Sequence, residues 1–249
     1  PLFREFLLKK AQESLGQGER SALQRNAGAL LLTAGRPGDA AALFSEARDW
    51  EGLGDLITSH AQTLLGQGRN ATLEGWLRAL PEERLRASPW LLYWLGAARL
   101  SYSPAEAQTY FEEAFAGFQE QGERGPGSLL AWAGTLKSIH FAFSNFRAAD
   151  AWLEVLPRLV GDPAALPPGE ISAHVASAAL AILTIHSPEH PDLPSWEERA
   201  LALEPTIDDR ACRLSILFNA GWLRAMRGRR GSAQLLLDPV PAADLPADR

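Results

Sequence analysis

Two stretches set a Gly-x-Gly pair beside a helix-like segment: Gly16-Gln17-Gly18 in LGQGERSAL and Gly66-Gln67-Gly68 in LLGQGRNATLEGWLRALP. A glycine loop that cradles phosphate follows a strand, opens a helix, and carries Gly-x-Gly-x-x-Gly or a following Gly-Lys-Ser/Thr. Both copies here follow an amphipathic helix and lack that spacing. The expectation is instead that Gly16, Gly18, Gly66 and Gly68 end helices in left-handed backbone, where a residue without Cβ is unstrained.

Other constellations weaken on the same inspection. His186, Glu189, His190 and Asp192 are metal-ligand types, but Pro188 and Pro191 keep the two histidines off one helix face, and a solvated loop is expected. Asp208 and Asp209 start like an aspartate-rich diphosphate-binding motif, yet Cys212 stands where the third aspartate belongs. A helix N-terminus accounts for both carboxylates. Cys212 has Arg210 and Arg213 nearby, a setting that can lower a thiol pKa, but a lone cysteine on a helix reads as packing. No Gly-x-Ser-x-Gly elbow is present. Asn70-Ala71-Thr72 fits a glycosylation acceptor and is read as a helix cap. With no acid, base or nucleophile set left, the expectation is a chain without enzymatic activity, catalytic residues, metal or cofactor.

The aromatic residues are the remaining chemistry. Trp90, Tyr93, Trp94, Trp132, His140 and Phe141 fall on the first helices of two successive helix pairs. Aromatic faces with a few polar neighbours suit a flat or apolar-faced ligand, whereas the same stripe buried is core. The candidate ligand-binding residues are Trp90, Tyr93 and Trp132 for stacking, with Arg99, Lys137 and His140 for polar contacts.

These side chains need elements to position them. Apolar residues recur every three or four positions nearly throughout, and alternating Val/Ile/Thr runs are missing, so the period is helical. The spacing predicts helices near residues 2–15, 21–34, 38–48, 50–65, 71–80, 89–102, 104–121, 128–144, 147–160, 169–186, 196–204, 207–227 and 231–237. Capping boxes are expected at Ser103 to Glu106, Ser195 to Glu198 and Thr206 to Asp209. AALPPGE and SPEHPDLP break the helical run and are read as bends or displayed loops.

A repeat runs through the helices. Gly28 precedes Ala40, Phe44 and Ala47; Gly96 precedes Ala107, Phe111 and Ala114; Ala200 stands ahead of Pro205, and Gly221 ahead of Ala233. Small residues alternating with one bulky knob let paired helices cross closely. The fold class expected is all-α: antiparallel helix pairs stacked as a tetratricopeptide-like right-handed superhelix.

Bulk properties bound the function classes. Across 249 residues the net charge is -6, opposing a duplex nucleic-acid surface. Cys212 is the single cysteine, which excludes an internal disulfide framework and fits a cytoplasmic location. No apolar run reaches the roughly 18 residues of a membrane span. The sequence starts at Pro1 and its one methionine is Met226, which reads as a segment of something longer.

PLFREFLL at the start, and the later string from LLGQGRN to GAARL with its WL, LP and PW pairs around Trp76, Pro81 and Trp90, resemble the MalT-like family of signal-transduction (STAND) ATPase transcriptional regulators. The likeness covers about residues 1 to 120. It implies that residues 1–18 are the closing helix of an upstream winged-helix module, or an N-terminal capping helix, and that residues 19–249 form the family's tetratricopeptide-like sensor. It further implies ATP in a missing upstream domain, a small-molecule inducer or partner protein as the signal, self-association of the full-length protein, and an output domain elsewhere, commonly a LuxR-type helix-turn-helix. The alternative is a tetratricopeptide scaffold that binds a partner's helix or extended peptide and no small molecule.

Overall fold

A computed structural model describes residues 16–234 except 124, 144, 161–165, 167, 230 and 232. Helices expected at 2–15 and over most of 231–237, and the closing-helix assignment for residues 1–15, lie outside the described residues.

The described chain is helical, with no strand among the described residues. In order it contains α1 (Gln17–Thr33), α2 (Pro37–Ala47), α3 (Trp50–Gly66), α4 (Asn70–Ala79), α5 (Glu82–Arg86), α6 (Pro89–Arg99), α7 (Pro104–Glu120), α8 (Pro126–Ala142), α9 (Ala148–Val160), α10 (Glu170–His186), α11 (Leu193–Leu203), a 3-10 turn (Glu204–Thr206) and α12 (Arg210–Met226). No described helix is long and apolar enough to cross a membrane.

The chain divides into two compact units, one ending at Leu95 and one beginning at Gly96. In the first unit α1 packs on α2, α2 on α3 and α3 on α4. Leu53, Leu56, Ile57, Ala61 and Leu64 form the buried face of α3, the three- and four-residue spacing that the pattern demands. Phe44 is the knob of this unit. A Cβ added to Gly28 would lie 2.7 Å from its ring and one on Gly52 would lie 3.4 Å away, so a larger side chain at Gly28 would push α1 off α2.

The second unit repeats the device and extends it. Phe111 of α7 is flanked by Gly96 and Gly134, where added Cβ atoms would stand 2.9 and 2.6 Å from the ring. Ala107, Phe111 and Ala114 are buried, as are Ala40, Phe44 and Ala47 in the first unit. Beyond α7, the contacts run from α8 to α10 and from α10 to both α11 and α12, with α9 packed on α8. The core gathers Trp132, Leu136, Ile139, Leu180, Ile182, Leu183, Trp196, Ile216 and Leu223.

Several terminal details differ from expectation. Of the four glycines in the Gly-x-Gly pairs only Gly68 is left-handed, with φ 69°. Gly16 is instead the N-cap of α1 with φ -59°, and Gly18 lies in the first turn. The Gly16 amide donates to Glu19 Oε2 at 3.0 Å, so the position a phosphate would take is filled by an acidic side chain of the same helix.

Ser103 caps without a side-chain hydrogen bond. Glu106 turns to Arg99 rather than back to the cap. Ser195 lies inside α11, which starts earlier at Leu193. Thr206 belongs to the 3-10 turn, and Asp209 is itself the cap of α12, accepting from the Cys212 amide at 3.0 Å. Asn70 is the first helical residue of α4, after Arg69. The short α5 was not anticipated; Glu82 and Glu83 in its first turn and Arg84 and Arg86 in its last complement the helix dipole.

Candidate functional site

On α6, within the first unit, Trp90, Tyr93 and Trp94 form one aromatic cluster. Trp90 meets Tyr93 edge-on at 5.9 Å and stacks on Trp94 at 6.3 Å; Tyr93 and Trp94 are 4.9 Å apart. All three are partly exposed. The buried Trp94 Nε1 has no hydrogen-bond partner. The run Trp90-Leu91-Leu92-Tyr93-Trp94-Leu95 is apolar without a break, yet its aromatic face keeps an open side.

The remaining candidates belong to the second unit. Trp132 is a correction: it is 0% exposed, and its Nε1 donates to the Trp152 carbonyl at 2.7 Å. A ring with no open face cannot stack on a ligand, so Trp132 is core. Arg99 is buried, paired with Glu106 at 2.5 Å, and its guanidinium lies 5.4 Å from the Tyr102 ring centre. His140 is half-buried near Phe141 and Phe143, and its buried Nδ1 has no partner. Burial pushes its pKa below the ordinary histidine value.

Lys137 leads to an arrangement that the sequence did not disclose. Its Nζ lies 2.9 Å from His174 Nδ1, and His174 Nε2 lies 3.2 Å from Asp209 Oδ2. The line crosses α8, α10 and the cap of α12, three helices of successive pairs. An ammonium only donates, so Nδ1 accepts and the proton sits on Nε2, which donates to Asp209. Asp209 also accepts from the Cys212 amide. Below the line, Ser177 bonds Ser215 at 3.1 Å, and Asn219 Nδ2 donates to the Ser215 carbonyl at 2.7 Å.

The electrostatics follow from this geometry. Burial first, then the Lys137 charge, holds the His174 pKa below its ordinary value, against the opposing pull of Asp209 and Glu170. The imidazole is therefore neutral at pH 7. The hydrogen bond from His174, aided by the Cys212 amide, keeps the Asp209 carboxyl well below the usual carboxylate range despite burial. Burial raises the pKa of the Cys212 thiol, and the neighbouring arginines do not activate it. The arrangement can hold and reorient polar groups; it offers no nucleophile.

Other sequence candidates stay apart. His186 ends α10 and bonds Asp150 at 2.6 Å, while His190 Nδ1 accepts from the Asp192 amide at 3.2 Å. Among the described residues no group of three or more His, Cys, Asp or Glu side chains is arranged to hold a metal ion. The signal that could have found the polar line is Lys137 itself. The chain has three lysines, and the other two are Lys9 and Lys10, so one lysine on the helix lined by Trp132, Leu136 and Ile139 is out of pattern.

Comparison with known proteins bears on what such a chain belongs to. The HTH-type transcriptional regulator MalT of Serratia proteamaculans (strain 568) is 35% identical to it over 124 residues, which is 49% of this chain and 13% of the regulator. The chain is thus similar to part of a transcriptional regulator and spans a small fraction of that protein's length. No family model and no solved structure matches it.

Proposed function

We propose that this chain is the effector- or partner-binding sensor segment of a MalT-like, ATP-dependent transcriptional regulator. On this reading it is non-catalytic, its helix pairs stack as a tetratricopeptide-like superhelix, and ATP binding and DNA contact belong to other parts of the longer protein. The similarity to a helix-turn-helix regulator supports the regulatory context. The glycine-flanked Phe44 and Phe111 support the repeated helix-pair plan.

The observation that carries the sensing role is the Lys137, His174, Asp209 line across three successive helices. A polar network in a largely apolar wall is sensitive to what its members bond, because each unsatisfied group costs about 1–3 kcal/mol. An effector that takes the Lys137 ammonium exchanges one set of bonds for another and changes how α8 and α10 sit together. Trp90 and Tyr93 remain a separate aromatic platform on the first unit.

A metabolite screen by thermal shift tests the proposal. The reading requires at least one compound that raises Tm of the intact chain and whose effect is lost in Lys137→Met while the far-UV helical signal is kept. A panel without any stabilising compound, or stabilisation that survives Lys137→Met, removes the effector site from this wall.

A further inference from the structure

One imidazole holds both ends of the polar line. His174 on α10 accepts from the Lys137 ammonium of α8 at Nδ1, 2.9 Å away, and meets the Asp209 carboxylate at the cap of α12 through Nε2, 3.2 Å away. The two bonds coexist only while the ring carries a single proton. A second proton turns Nδ1 into a donor facing the donors of an ammonium, and it sets like charges side by side. At the other nitrogen the same proton has the opposite effect, because the bond to Asp209 becomes an ion pair.

We infer that this ring is a proton-operated switch between two seams: on acidification α10 releases α8 and is held more tightly to α12. The inference rests on the reading of this line as the responsive seam of the second unit and adds the proton as what operates it. The groups around the ring favour an exchange over a general loosening. Lys137 opposes the second proton, whereas Asp209 and Glu170, in the first turn of α10, draw it in. Burial is the largest influence and delays that proton to below pH 6.5. Asp209 keeps its charge there, since its carboxyl lies well below the usual carboxylate range, and it still accepts from the Cys212 amide. The α12 end of the line therefore persists. Lys137 is partly exposed and has water to turn to. The other charges nearby are occupied or open to solvent. On α12 the Cys212 thiol stays neutral through burial, Arg213 is tied to Glu204 and Arg210 is exposed. On α11, also packed on α10, Glu197 is tied to Arg224, Arg199 donates to the Leu166 carbonyl and Glu198 is exposed.

Denaturant unfolding of the full chain at pH 7.5 and pH 5 tests the switch with no effector present, so its outcome and that of the metabolite screen are independent. Lys137→Met is expected to raise the unfolding constant about tenfold at pH 7.5 and to lose that penalty at pH 5, where the ammonium no longer holds the ring. Asp209→Asn, which keeps a capping side chain on α12, should do the reverse and cost at least about tenfold more at pH 5 than at pH 7.5. In a His174→Gln background each penalty should be the same at both pH values. Hydrogen exchange of the unmodified chain, corrected for its intrinsic pH dependence, supplies a reading that needs no variant to fold: residues 132–142 of α8 should exchange about tenfold faster at pH 5 while residues 209–216 hold or slow. Penalties that do not cross with pH, a crossing that persists with glutamine at position 174, or exchange that quickens equally in α8 and α12 overturns the proposal.

Discussion

The seam around Phe44 in the first unit and the seam around His174 in the second join helices by opposite means. Phe44 fits because Gly28 has no Cβ, which would stand 2.7 Å from its ring, so the close crossing depends on the shape of both residues. His174 joins α8, α10 and α12 through two hydrogen bonds that other donors and acceptors can replace. A seam made by shape fixes the pairing, whereas a seam made by exchangeable polar groups can respond. The second unit contains both kinds, since Phe111 repeats the glycine-flanked packing beside the polar line.

The largest effect should come from removing a knob. Phe111→Ala is expected to cost about 3–5 kcal/mol in chemical denaturation, because the ring is fully buried and the helices on both sides cannot close the void. Phe44→Ala should cost less, since one of its flanking glycines leaves 3.4 Å where both of those at Phe111 leave under 3 Å. Equal losses would mean that glycine contact is not what tightens the second seam. Next comes Gly134→Ala, expected to cost about 1–3 kcal/mol by overpacking and to be partly restored by Phe111→Leu in the same chain. Additive losses in that double substitution would refute the direct clash.

Helix class, most of the helix positions and the small-large-small repeat were legible because the period of apolar residues and the need for small contact residues act within short windows. Ala40, Phe44, Ala47, Ala107, Phe111 and Ala114 are all buried as the pattern requires. The candidate site was much less legible. Lys137 was identified but not its partners, because His174 and Asp209 lie 37 and 72 positions away and only packing brings them to it. Trp132 misled because its helical spacing suits core and groove equally, and its bond to the Trp152 carbonyl is tertiary. Capping signals misplaced Ser195 and Thr206, since helix starts depend on which cap competes best; Asp209 displaced the expected Thr206.

Smaller effects test the polar seam. Lys137→Met leaves His174 Nδ1 without its donor and should cost about 1–3 kcal/mol at pH 7. The pH dependence has a defined sign. Both His174 and His140 have native pKa values below the ordinary 6.5, so the unfolded chain binds protons first. Their contribution is complete above pH 6.5 and is lost as pH falls below it. Thermal melts between pH 7.5 and 5 should therefore show Tm falling with acidification, and His174→Gln should flatten the slope; an unchanged slope would mean that His174 titrates normally. At the small end, breaking the exposed Glu74 to Arg78 pair with Arg78→Ala should change stability by no more than about 0.5 kcal/mol.

The state of the His174 ring is the most direct test, read by nitrogen-detected NMR of histidine-labelled chain across pH 5 to 7.5. A neutral ring protonated on Nε2 at pH 7, with its pKa well below 6.5 and moving up in Lys137→Met, is the predicted result. A ring that titrates near 6.5, or that carries its proton on Nδ1 at pH 7, would contradict a Lys137 to His174 to Asp209 line joining the three helices.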